Sequence, residues 1–378
     1  MPGKTTSVST PALVLDVIRT RGPISRIELA EATGLTAASM TTAVRQLIEK
    51  RLVLSVGHGE STGGKRRELL DVNPTTRFGL GLQLGPESMQ VVVANLWGAV
   101  VGRVGVALAP GATPDETLGS MSSAVEELLA TTSLADGRIE GLCVAVPGPH
   151  EASGAIVDTP SLAAWEGYPL GSALEAATGI GVRLENAGLL SAAGEVWTGA
   201  AGDSRALAAI HVDGEISAGV AVDGRLVRGS RGRAGDIRHL PIDPAGPLCR
   251  CGQRGCLAVT GTPEAIASRY QDETGSRLTP GRIAARVESD PRAARAVDDA
   301  VTAFSRGIVA FADALDLDRL VLSGRGYGRL LDRYLDGVRD HARALGRTHL
   351  AVAVSANQRD AGAVAAAGAV LRDHIAAR

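Results

Sequence analysis

At 378 residues with a formal charge of −2, the chain has length for two or three domains and a sizeable core, and it is not a globally basic nucleic-acid coat. It contains no run of eighteen apolar residues, and polar residues with a proline fill the N-terminal stretch where a leader would need apolar ones. A cytoplasmic protein with no membrane partner is expected. Charge is unevenly divided: residues 1–75 hold ten Lys and Arg against seven Asp and Glu, so a head of +3 precedes a body of −5.

In the head, residues 1–75, Thr10-Pro11 reads as a helix cap followed by proline at the first helical position, with Leu13, Val14, Val17 and Ile18 at helical spacing up to Gly22-Pro23. Ser25-Arg-Ile-Glu28 is a capping box that opens a second helix of about two turns, with Ile27, Leu29 and Ala30 ahead of Gly34. Thr36 caps a third helix, whose Met40, Val44, Leu47 and Ile48 form the inward stripe and whose Ala37, Ser39, Thr41, Thr42, Arg45 and Gln46 face out. A strand over Leu52–Val56, a basic tip from His58 to Arg67 and a return strand over Glu68–Val72 complete a hairpin. Two helices joined by a tight Gly turn, the second presenting short hydroxyls and an arginine, suit a major groove, because bulky side chains would hold the helix off the bases. The head therefore reads as a winged helix-turn-helix on double-stranded DNA carrying an inverted repeat. Thr36, Ser39, Thr42, Arg45 and Gln46 are expected at bases or phosphates, Arg26 against the backbone, and Lys65, Arg66 and Arg67 in the wing. Gly59 to Lys65 mimics the spacing of a phosphate loop, but Arg66 replaces the hydroxyl that would hold Mg²⁺ and a strand, not a helix, follows.

The body, residues 76–378, is expected to be α/β. Short β-type runs at Phe78–Leu84, Met89–Asn95 and Val100–Leu108 precede a helix over Thr113–Thr131 and a strand over Gly141–Val146. A strand at Val182–Glu185, a helix over Ala187–Gly199 and strands at Ala206–Val212 and Ser217–Val222 follow. Helices within Pro263–Leu315, a strand at Leu320–Leu322 and two helices flanking Leu350–Val354 close the chain. Two lobes with mixed sheets fit this order, and a small ligand is expected between them.

The strongest chemical motif is His239-x9-Cys249-x-Cys251-Gly-x-x-Gly-Cys256: one imidazole, three thiolates, and glycines where the backbone must bend around an ion. It reads as a closed, structural Zn²⁺ site around residues 239–256. Cys143 sits alone in the apolar run Gly141–Val146 and reads as core.

Four landmarks together make the chain similar to the ROK family (repressors, open reading frames and sugar kinases), in its repressor branch, over essentially its whole length. They are the winged head with Gly-Lys-Arg in the wing, Val146-Pro-Gly-Pro149, Gly224-Arg-Leu-Val-Arg-Gly229 leading to Ala234-Gly-Asp-Ile-Arg-His239, and the metal motif. The resemblance implies an actin-like, hexokinase-like two-lobed domain, a sugar or sugar phosphate between the lobes, and a homodimer or tetramer. It also exposes departures from the kinase members. Gln83-Leu-Gly-Pro-Glu87 stands where they carry Asp-x-Gly-Gly-Thr, and Asp213-Gly-Glu-Ile-Ser217 where they carry Gly-Thr-Gly-Ile-Gly, which sets acids where phosphate would lie. Ala187 stands at the catalytic aspartate of Asn-Asp-Ala-Asn, so no base is available for phosphoryl transfer; Glu185 lies two residues away on a strand end, aimed elsewhere. Of the sugar-binding positions, Asn186, Asp236 and His239 keep matching chemistry, whereas Ser161, Arg238 and Ala258 replace Asn, Gly and Glu. Arg238 has two readings, a contact for an acidic or phosphorylated sugar or a structural ion pair. The implied function is a catalytically inactive, sugar-responsive repressor. An ATP-dependent sugar kinase with an appended head and an effector-independent DNA-binding protein are the alternatives.

Overall fold

A computed structural model describes residues 9–59, 66–109, 111–134, 138–151, 153–197, 200–356 and 360–376. Most of the wing tip, Lys65 included, lies outside these residues.

The head is built from α1 (Thr10–Arg21), β1 (Ile24–Ser25), α2 (Arg26–Thr33), α3 (Ala37–Glu49), β2 (Val53–His58) and β3 (Glu68–Val72). Ser9, not Thr10, caps α1: its Oγ accepts from the Ala12 amide, which makes Thr10 the first helical residue and places Pro11 second. The capping box of Ser25 and Glu28 forms as expected, and Gly34, at φ 68°, ends α2 in the left-handed region. β1 was not legible as a strand; it pairs Ile24 with Leu70 and Ser25 with Leu69, giving a sheet in the order β1-β3-β2. The inward faces need correcting in three places. Leu13, Ile27 and Ile48 are exposed, while Leu15 and Ala43 are buried. At 100° per residue the stripe on α3 runs through Met40, Ala43, Val44 and Leu47, and Ile48 lies past its edge.

The first lobe of the body contains β4 (Phe78–Leu84), β5 (Ser88–Asn95), β6 (Val100–Ala107), α4 (Pro114–Thr132), β7 (Ile139–Val146), α5 (Leu170–Thr178), β8 (Val182–Asn186) and then α6 (Ala187–Trp197). The second holds β9 (Ala206–Asp213), β10 (Glu215–Val222), β11 (Arg225–Leu226), α7 (Leu257–Thr260), α8 (Pro263–Thr274), α9 (Pro280–Ala284), α10 (Pro291–Ala314), β12 (Arg319–Ser323), α11 (Leu331–Ala344), β13 (Ala351–Val354) and α12 (Ala361–Ala376). The two sheets repeat one plan, β6-β5-β4-β7-β8 and β11-β10-β9-β12-β13, each an antiparallel meander followed by parallel strands. α5 escaped the sequence reading because it has no side-chain cap and only Leu170 and Leu174 as large buried anchors.

α6 and α12 pack against each other between the two sheets, α12 on β4, β5 and β7 and α6 on β9 and β10. Glycines allow this closeness. A Cβ on Gly81 would sit 1.9 Å from the Ala363 carbonyl oxygen, and one on Gly219 would sit 2.1 Å from that of Gly188. Cys143 is fully buried in the small-residue core that these helices share with β7, as the apolar run around it implied.

Candidate functional sites: the cleft, the metal centre and the head contact

The metal motif converges. The ligand atoms of His239, Cys249, Cys251 and Cys256 all lie within 4.8 Å of one another. The Cys249 Sγ is 3.5 Å from His239 Nδ1, and the Cys251 and Cys256 sulfurs are 3.6 Å apart. Tetrahedral thiolates at about 2.3 Å from one ion would be separated by about 3.8 Å, so the set fits a metal of that geometry. Burial and the two neighbouring sulfurs push the Cys256 thiol up to about 12; three thiolates can coexist here only around a cation. The backbone is shaped for the loop. A Cβ on Gly255, which has φ 60°, would meet the Asp243 carbonyl oxygen at 1.6 Å.

A cavity of about 250 Å³ opens between the lobes, walled by Pro147 to His150 after β7, Glu185 and Asn186 at the end of β8, Ser217 on β10, and Arg228, Arg231, Arg233, Asp236 and Arg238. Ser161 and His239 do not reach it; they line an adjoining hollow of about 390 Å³ with Glu215, Arg250, Ala258 and Glu264, and only Arg238 borders both. Asn186 holds its place by accepting from the Gly188 and Leu189 amides at the start of α6 and donating to the Gly148 carbonyl.

Arg238 is 3 % exposed and completely engaged. Its Nε and Nη2 grip the two Asp236 oxygens at 2.8 and 2.9 Å, and it also donates to the Asp158 carbonyl and carboxylate. Burial works against the charge on Asp236, but Arg238 outweighs it and holds this carboxyl below its usual range. Arg250 adds a second arginine to Asp158 at 2.7 Å. Glu185 departs from expectation: it faces the cavity instead of pointing away. Burial opposes its ionisation, yet His150 and Arg228 bring its pKa to about 2. It is a permanently charged, paired carboxylate and not a free base.

The two segments that stand at the kinase phosphate loops meet each other. Gln83 Nε2 donates to Asp213 Oδ2 at 2.7 Å, and Arg325 Nη2 reaches the same oxygen at 2.8 Å while its Nη1 donates to Ser88 Oγ at 2.8 Å. Pro86 packs so closely on Gly214 that a Cβ there would lie 2.9 Å from the ring. Below them His211 is buried completely, which holds its pKa down to about 4, and its Nδ1 lies 3.0 Å from the Ser191 hydroxyl. Arg325 was not legible as a site residue. Its only local signal is the Gly-Arg-Gly of 324–326 after a strand.

On the head, Ser39, Thr42 and Arg45 lie exposed along α3, with Gln46 half-buried and Arg45 only loosely paired with Glu49 at 3.8 Å. Thr36 is spent locally, its Oγ accepting from the Ser39 amide and donating to the Ser39 hydroxyl. Arg26 forms an ion pair with Glu68 of β3 at 2.6 Å, so it braces the head's own sheet. Arg66 and Arg67 are exposed.

Head and body share one apolar cluster, in which Leu96, Trp197 and Leu371 of the body join the cores of α1 and α3. Trp197, at the last turn of α6, is 4 % exposed and slots between Gly98 and Gly368. The Arg19 guanidinium lies 3.7 Å from the centroid of its ring and also donates to the Trp197 carbonyl. Trp97 closes the contact by donating its indole N–H to Asp71 at 3.2 Å.

Two lobes of one strand plan, crossed by α6 and α12 and preceded by a small helical head, define an actin-like α/β protein with a metal-binding loop at its cleft. Residues 79–372 match the ROK family, and the chain belongs to it. It is similar to the xylose repressor of Caldicellulosiruptor bescii, 28 % identical over 75 % of this chain and 74 % of that one. It is also 30 % identical to the DNA-binding transcriptional dual regulator NagC of Escherichia coli over 68 % of this chain and 63 % of that one. The matched stretch is thus shorter than two thirds of some curated relatives, 64 % in a second Caldicellulosiruptor protein. In structure it superposes on a ROK family transcriptional regulator, a homologue of the E. coli Mlc protein, with a TM-score of 0.74, 22 % identity and 97 % of each chain covered. Among the described residues no helix is long and apolar enough to cross a membrane.

Proposed function

We propose that this chain is a cytoplasmic, homo-oligomeric transcriptional repressor whose winged helix-turn-helix head, residues 1–75, binds an inverted repeat in double-stranded DNA and whose body, residues 76–378, senses a sugar-derived ligand. The observation that carries this reading is α6. One helix of 11 residues, roughly 16 Å long, begins at the cavity with Asn186 and Ala187 and ends with Trp197 in the core of the head. A ligand that repositions Asn186 moves a rigid rod whose far end is seated under α1, which supplies the differential contact that a ligand-controlled equilibrium requires.

DNA contact falls to Ser39, Thr42, Arg45 and Gln46 of α3 and to Lys65, Arg66 and Arg67 of the wing. Arg45→Ala with Gln46→Ala is expected to weaken retardation of the chain's own upstream DNA by roughly tenfold to a hundredfold, from one lost base contact of about 1–3 kcal/mol. Unchanged affinity, or retardation insensitive to salt, would remove α3 from the interface. His239, Cys249, Cys251 and Cys256 hold a structural Zn²⁺ that stiffens the loop between the two hollows.

The body does not act as a kinase. Ala187 offers no group to take a hydroxyl proton, and the phosphate position is filled by Arg325 joined to Asp213, Gln83 and Ser88. ADP release in a coupled assay is expected to stay at background across a hexose panel with ATP and Mg²⁺. Turnover of any hexose would restore the kinase reading.

A further inference from the structure

We infer that the ligand taken between the lobes carries an anionic group, a carboxylate or a phosphate, received by Arg231 and Arg233. This deepens the sensor reading above and rests on it. The inference stands on the hydrogen-bonding capacity left in the cavity. A neutral sugar offers hydroxyls that both donate and accept, so its site needs spare carboxylate or carbonyl acceptors. Here both acidic side chains in the wall are spent. Asp236 is gripped on both oxygens by Arg238, and Glu185 is engaged by Arg228, with His150 3.7 Å away. The arginines are not all spent. Four guanidiniums face two carboxylates in this wall, and among the described residues Arg231 and Arg233 make no ion pair.

The loop that carries them is arranged for approach. Gly229, Gly232 and Gly235 all have positive φ, so Arg231 and Arg233 lie on a turn of bare backbone at the mouth of the cavity. Opposite them the N-terminus of α6 contributes its partial positive charge, and Ala187 has removed the one carboxylate that would repel an anion there. A charged oxygen needs donors alone, which is what the wall has left. Arg238, the arginine that the sequence singled out, is not the receiver, because its donors are already committed to Asp236 and Asp158.

The test is calorimetric titration of the full-length protein with a hexose, the matching hexuronate and the matching hexose 6-phosphate, repeated with Arg231→Ala/Arg233→Ala. Binding is expected from one or both anions and not from the neutral hexose, with affinity falling as salt is raised and falling at least tenfold in the variant. Which anion binds distinguishes a sugar acid from a sugar phosphate. The unfolding midpoint of the unliganded variant is expected to match the parent, since both side chains are exposed. Binding of the neutral hexose with equal affinity to both proteins would overturn the anion assignment and leave the sensor reading standing. No binding by any of the three at millimolar concentration would overturn both. Loss of DNA affinity in the variant with anion binding unchanged would place these arginines on DNA and overturn the proposal.

Discussion

Cys256→Ser is expected to lower the unfolding midpoint of the full chain by roughly 10 °C, corresponding to about 4 kcal/mol for a body of this size. Cys256 is fully buried, and its sulfur closes the four-ligand set with His239, Cys249 and Cys251. A structural metal adds its binding free energy directly to folding, so losing one thiolate weakens the loop and also strands a buried hydroxyl without a partner. The effect should reach the cleft. Arg238 and Arg250 flank the metal ligands in sequence, and both hold Asp158 of the opposite lobe. Chelation of the parent protein should reproduce the fall, and added Zn²⁺ should reverse it in the parent but not in the variant. A midpoint unmoved by both chelator and substitution would show that the loop stands without a metal.

Trp197→Ala is expected to free the head from the body. Removing a buried indole costs about 3 kcal/mol or more, here with the loss of the cation–π contact to Arg19. That corresponds to roughly 150-fold in the docked equilibrium. Cleavage of the chain between head and body by a protease should accelerate accordingly, while the circular dichroism of the body stays the same. Trp197→Phe, which keeps a ring in the slot between Gly98 and Gly368, should fall between the two. The functional readout is separate from stability: DNA retardation by the alanine variant should no longer respond to whichever ligand the cleft takes. Parental proteolysis rates, or an unaltered ligand response, would remove α6 as the connection.

The sequence by itself determined the features whose cause is local. Caps and turns of the head lie within four residues of their partners, so Ser25 with Glu28, Gly34, and Thr36 with Ser39 were legible and form as read. The metal set was legible for a similar reason, since three of its four ligands fall within eight residues and their chemistry is distinctive. The substitution at Ala187 needed only the comparison of one motif. Burial at the edges of helical stripes was read less well, because Leu13, Ile27 and Ile48 sit where a shift of one residue separates core from solvent. What only the tertiary structure decided are the contacts between residues far apart in the chain: Arg325 on Asp213 and Ser88, Arg19 on Trp197, and Glu185 turned toward Arg228. An arginine spent in an ion pair and one free for a ligand look alike in sequence. Arg238 and Arg231 differ only in whether folding brings a carboxylate within reach, and that is set by the packing of the two lobes.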